Sequence, residues 1–74
     1  MNRDQARKLI SRVFDQAVDD IGTERLVSMR DEFEARMRTA RSRGLYRKIA
    51  EALDTEIEAR RAEEKQRAPA LKER

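Results

Sequence analysis

Apolar side chains return every third or fourth residue along most of this chain, and the phase of that repeat breaks once. From the N-terminus, Ala6, Leu9, Ile10, Val13, Phe14, Ala17, Val18 and Ile21 step by 3, 1, 3, 1, 3, 1 and 3 residues, which is one face of an α-helix. Asn2 stands where it caps the start, and Gln5, three residues on, completes a capping box. Gly22 suits the end of that helix and Thr23 the N-cap of the next. The pattern predicts a helix over 3–21.

The break comes later. Leu26, Met29, Phe33, Met37 and Ala40 share one helical face, whereas Leu45, Tyr46, Ile49, Leu53 and Ile57 share another. At about 100° per residue the second stripe is turned roughly 180° from the first, so one straight helix would leave a stripe in water. A turn at Ser42-Arg43-Gly44 brings both stripes onto one core, with Gly44 supplying the backbone freedom. The expected fold is all-α: three amphipathic helices at about 3–21, 24–42 and 45–66, the last two folded back as an αα-hairpin. The alternative is a single long helix through the second and third. Past Ile57 the stripe fades and Pro69 ends any helix, so 67–74 reads as a frayed or disordered tail behind one domain over 1–66.

Charged residues make up 45% of the 74 positions, and mean hydropathy is −1.01. Disorder with such a composition usually brings high net charge and no periodicity, but here the net charge is +3 and the repeat is helical. The large apolar side chains are few for three helices in a chain this short, where burial and chain entropy nearly cancel. Pairing of two copies adds burial, so a homodimer is expected. Leu26, Met29, Phe33, Met37, Ile49, Leu53 and Ile57 form its core or dimer face, with Met29 and Met37 suited to an adaptable interface.

Cysteine and histidine are both absent. That removes disulfides, thiolate chemistry, the commonest metal ligand and the commonest general base. The carboxylate groups Asp19-Asp20, Asp31-Glu32-Glu34 and Glu63-Glu64 read as solvated helix faces, with no calcium-loop spacing and no cleft to shift their pKa values. No apolar run reaches the length of a membrane span or a signal-peptide core. The sequence therefore predicts a soluble cytoplasmic protein that is not an enzyme and holds no metal or cofactor.

Charge marks the candidate site. Basic and acidic residues number 6 and 8 in 1–35, 6 and 0 in 36–48, and 6 and 7 in 49–74. The cations of the middle segment are Arg36, Arg38, Arg41, Arg43, Arg47 and Lys48, and Tyr46 lies among them. A helix C-terminus favours cations by about 0.3–1 kcal/mol each, which explains some of them. It does not explain Arg47 and Lys48, which the expected third helix carries in its first turn. These six cations and Tyr46 form the predicted partner-binding site. Arg forks pair with carboxylates, Tyr46 is a candidate anchor, and an acidic protein surface is the expected partner. DNA or RNA phosphate is the alternative. Acidic flanks and a single aromatic residue argue against it, because nucleic-acid binders spread positive charge over a whole face and stack bases on several rings.

Two family resemblances attach to the region after the turn. Arg43-Gly44-Leu45-Tyr46-Arg47-Lys48-Ile49-Ala50-Glu51-Ala52-Leu53 resembles the opening helix of helix-turn-helix domains in resolvase-type and plasmid-transfer proteins. That resemblance implies a turn next and then a recognition helix in the major groove, beginning at Thr55 and carrying Arg60, Arg61 and Lys65. This chain has Asp54-Thr55-Glu56-Ile57-Glu58 in place of the family's glycine-containing turn. Ala50-Glu51-Ala52-Leu53-Asp54 is similar to the Ser-Gln-Glu-Leu-Asp motif of small helical-hairpin phosphatases in phosphorelay signalling. The serine and glutamine are missing, so no catalytic role carries over. The functional expectation is a small non-catalytic regulator, an adaptor or inhibitor of the kind phages and plasmids encode.

Overall fold

A computed structural model of the chain describes residues 1–39, 41 and 43–72, with side chains as far as Gln66. Helix α1 spans Arg3–Phe14, α2 Thr23–Met37 and α3 Arg43–Lys72, with a 3₁₀ turn at Val18–Asp20 between the first two.

The start of α1 follows the sequence. Gln5 N–H donates to the Asn2 side-chain oxygen at 2.9 Å, and Asn2 N–H donates to Gln5 Oε1 at 3.2 Å. Its end does not, since α1 stops at Phe14 and not near 21. Asp15 takes a left-handed conformation (φ 50°, ψ 46°), and its N–H returns to the Ser11 carbonyl, as does that of Gln16 at 3.3 Å. Aspartate is among the few residues that tolerate this geometry. The apolar spacing misleads past this point because a 3₁₀ turn also aligns residues three apart. Val18 and Ile21 are both buried, through a 3₁₀ turn and without an α-helix.

Gly22 has extended backbone and is the N-cap of α2, and Thr23 is its first helical residue, so the expected roles of these two move by one position. Helix α2 ends at Met37, ahead of the expected 42, where Arg38 and Thr39 N–H groups close tighter bonds to Ala35 and Arg36 at 3.3 and 3.2 Å. The expected turn at Ser42-Arg43-Gly44 also shifts. Arg43 and Gly44 open α3, Gly44 has no positive φ, and Ala40 and Ser42 lie outside the described residues. The phase change between the stripes is absorbed ahead of Gly44, without a left-handed glycine. The second and third helices are thus separate elements. At its far end α3 continues past Pro69 to Lys72. Pro69 lacks one donor, while the surrounding Ala68, Ala70, Leu71 and Lys72 favour helix.

Both α1 and α2 run antiparallel to α3. Arg7 reaches Glu56 and Arg3 reaches Glu63, while Arg30 of α2 meets Asp54 and Thr23 meets Arg60. Ala6 and Ile10, then Val18 and Ile21, then Leu26, then Ile49, Ala52, Leu53 and Ile57 form one buried cluster. Met29 and Phe33 pack on its rim and Met37 is half-buried. Leu45 departs from the expected stripe and is 57% exposed, so the buried face of α3 starts at Tyr46. The reason is the early end of α1. With Arg7 level with Glu56, Phe14 lies about 10 Å further along, and α3 extends about 6 Å beyond it to Leu45.

Candidate functional site

The C-terminal ends of α1 and α2 and the N-terminal end of α3 meet at one end of the molecule. Phe14, Phe33 and Tyr46, one from each helix, close it as an aromatic row, with centroids 5.9 Å apart for the first pair and 5.6 Å for the second. Their edge-to-face and tilted angles, 69° and 52°, are the arrangements ring quadrupoles favour. The Arg36 guanidinium lies 5.7 Å from the Phe33 centroid, on the solvent side of that row.

Around this end, Arg36, Arg38, Arg41, Arg43, Arg47 and Lys48 are all exposed. Tyr46 is half-buried and packed against the core, so its ring is largely engaged within the molecule. Leu45, which the sequence assigned to the core stripe, is the large apolar side chain left open among these cations. The first turn of α3 contains no acidic residue. Its partial positive end therefore adds to the field of Arg43, Arg47 and Lys48 and is not neutralised by it.

Every ion pair among the described residues lies outside 36–48. Elsewhere Arg3, Arg7, Lys8, Arg30 and Arg60 enter ion pairs, whereas Arg12, Arg25, Arg61 and Lys65 are exposed and enter none among the described residues. Three of the paired cations converge on Glu56, whose side chain is fully buried. Arg3 donates to both Glu56 oxygens at 3.0 and 3.2 Å, Arg7 to Oε2 at 3.0 Å and Arg60 to Oε2 at 2.9 Å. Arg7 also pairs with Asp19, and Arg3 with Glu63. Arg60 then donates to the carbonyls of Ile21 and Val18 at 2.7 and 2.9 Å and to Thr23 Oγ1 at 3.2 Å. Burial works against the ionised form of Glu56, but the bonds from Arg3 and Arg60 and the charges of Arg3 and Arg7 outweigh it. The carboxyl titrates below its ordinary value of 4.5. The Asp19 carboxyl is lowered as well, chiefly by its bond from Arg7.

Sequence reading left this network out, naming Glu56 only within the stretch that stands in place of the helix-turn-helix turn. The available signal was positional: Glu56 is three residues past Leu53 and one before Ile57, inside the apolar stripe. The network also removes what the helix-turn-helix resemblance implied. Helix α3 is unbroken through 54–58, and Arg60, its expected groove-facing residue, points into the molecule.

What the basic end offers chemically is charge and multidentate donors. Glu34, Met37, Arg38 and Arg43 line a shallow surface depression there, with Glu34 the acid at its edge. Among the described residues, no group of three or more Asp or Glu is placed to hold a metal ion, and no helix is long and apolar enough to cross a membrane. Compared with known proteins, the chain matches no family model, no curated protein and no solved structure.

Proposed function

We propose that this protein is a small non-catalytic regulator, an adaptor or inhibitor, that binds an acidic surface of another protein through the basic end at 36–48. One observation carries the reading: Arg3, Arg7, Arg30 and Arg60 are committed to internal carboxylates, while the six cations of 36–48 are exposed and enter no ion pair among the described residues. Like charges gathered at one end repel, a cost that an acidic partner removes. On this reading α2 and α3 work as an αα-hairpin that presents the site at its closed end. Two copies associate through another surface, because a two-fold contact at the basic end would set like charges against each other. The thin core supports that association: among the described residues, the fully buried large apolar side chains are Ile10, Ile21, Leu26, Leu53 and Ile57.

Fluorescence anisotropy tests the partner class, using labelled polyglutamate and random duplex and single-stranded oligonucleotides at low and moderate salt. Salt-sensitive binding of polyglutamate that is lost in Arg41→Ala/Arg43→Ala/Arg47→Ala, with no oligonucleotide binding, is the expected result. Oligonucleotide binding lost in the same variant would instead support the nucleic-acid alternative. Light scattering tests association, and a monomer at high concentration removes the dimer.

A further inference from the structure

The side of α3 that faces α1 carries Leu45, Ala52 and Glu56 at helical spacing. Ala52 and Glu56 are fully buried there, whereas Leu45 is 57% exposed. The difference is the length of α1. Asp15 turns the chain away after Phe14, so the last stretch of this side has no helix over it. The uncovered stretch also holds Lys48, one turn from Leu45, with Arg41 and Arg43 just before it and Arg12 in the last turn of α1.

We propose that this stretch seats one acidic amphipathic helix of the partner protein, lying where a longer α1 would have continued. The inference rests on the basic end being a protein-binding site and names the form of the partner. An apolar side chain of that helix covers Leu45, and Asp or Glu residues three or four positions to either side of it meet Lys48, Arg41 and Arg43. A second copy of this chain is the wrong occupant, since its own basic end would bring six cations against six. A phosphate backbone satisfies the cations but leaves Leu45 without an apolar contact.

The test uses the full chain and two synthetic peptides: a Glu-rich amphipathic helix with a leucine stripe, and the same peptide with those leucines changed to serine. Leu45→Ala is the informative variant, because an exposed side chain can be shortened without opening the core. The leucine peptide is expected to bind, with amide shift changes centred on residues 43–48 and the last turn of α1. Leu45→Ala weakens it about tenfold while leaving the serine peptide unaffected. Equal binding of both peptides, unchanged by Leu45→Ala, overturns the helix seat yet leaves the acidic-partner reading standing. No binding of either peptide overturns both. A shift toward monomer in Leu45→Ala by light scattering overturns the proposal in favour of self-association.

Discussion

Arg60 and Glu56 stand one turn apart on α3 with Nε 2.9 Å from Oε2, and the same guanidinium holds the carbonyls of Val18 and Ile21. One side chain thus joins the buried carboxylate to the connection between α1 and α2. Arg3 and Arg7 bind the same carboxylate from α1, and Thr23 binds Arg60 from the start of α2. All three helices and the 3₁₀ turn are tied through Glu56. The tie lies toward the opposite end of the short helices from the aromatic row, so polar and apolar clamps secure the two ends of the bundle. The exposed cations of 36–48 are then carried on a frame whose buried carboxylate is fully paired.

Replacing Glu56 leaves three guanidiniums facing a site with no anion. Glu56→Gln is expected to lower unfolding free energy by about 2–4 kcal/mol, somewhat less than a fully desolvated pair because Arg3, Arg7 and Arg60 keep contact with water. The Arg30–Asp54 pair is the control. Its 2.8 Å contact is as short, but Asp54 is 47% exposed, and Asp54→Asn should cost less than about 1 kcal/mol. Urea unfolding of both variants checks the contrast, and equal small losses would mean that the buried network does not hold the helices together.

Acid should weaken the fold through the same groups. Glu56 and Asp19 both titrate below their ordinary values, so the folded state binds fewer protons than the unfolded one across the carboxylate range. The stability they add is fully present above the unfolded values, near 4.5 and 3.8, and is lost as pH falls through the lower folded values. Thermal melts should be flat in pH from about 6 to 8 and fall steeply below about 4. In Glu56→Gln the acid-induced drop should be smaller; an unchanged slope would assign it to other carboxylates.

The end of α1 shows why part of the fold could not be read locally. The all-α class, the Asn2–Gln5 box and most core positions follow from spacing alone. Asp15, however, stops the helix without glycine, and the following 3₁₀ turn keeps the same three-residue repeat. Glu56 is hidden for a different reason: its partners Arg3 and Arg7 lie 53 and 49 residues away. Its place inside the apolar stripe marks it for burial, but no local pattern names the two α1 arginines that pair with it. The cations of 36–48, by contrast, were legible as a group because nothing acidic interrupts them.

Asp15 gives a direct check on that helix end. A β-branched residue resists the left-handed region, so Asp15→Val should destabilise by about 1–2 kcal/mol. Asp15→Gly removes the steric cost but adds chain entropy to the unfolded state, and should change stability by less than about 1 kcal/mol in either direction. Thermal melts of the two variants separate a left-handed end from a helix running on to 21, in which glycine would be the costlier substitution of the two.

Gly44 distinguishes the expected turn from the observed one most sharply. Were it the hinge of Ser42-Arg43-Gly44, a methyl group there would strain the backbone. In the structure Gly44 sits in the first turn of α3 without a positive φ, and an added Cβ meets nothing within 4 Å. Gly44→Ala therefore gains helix propensity and loses no contact. Its expected effect is stabilisation by about 0.5–1 kcal/mol, reduced somewhat because the first turn is less ordered than a helix interior. The substitution leaves every cation of 36–48 in place, so polyglutamate binding should be retained or strengthened. A loss of stability in urea unfolding would return Gly44 to the turn and move the start of α3 beyond it.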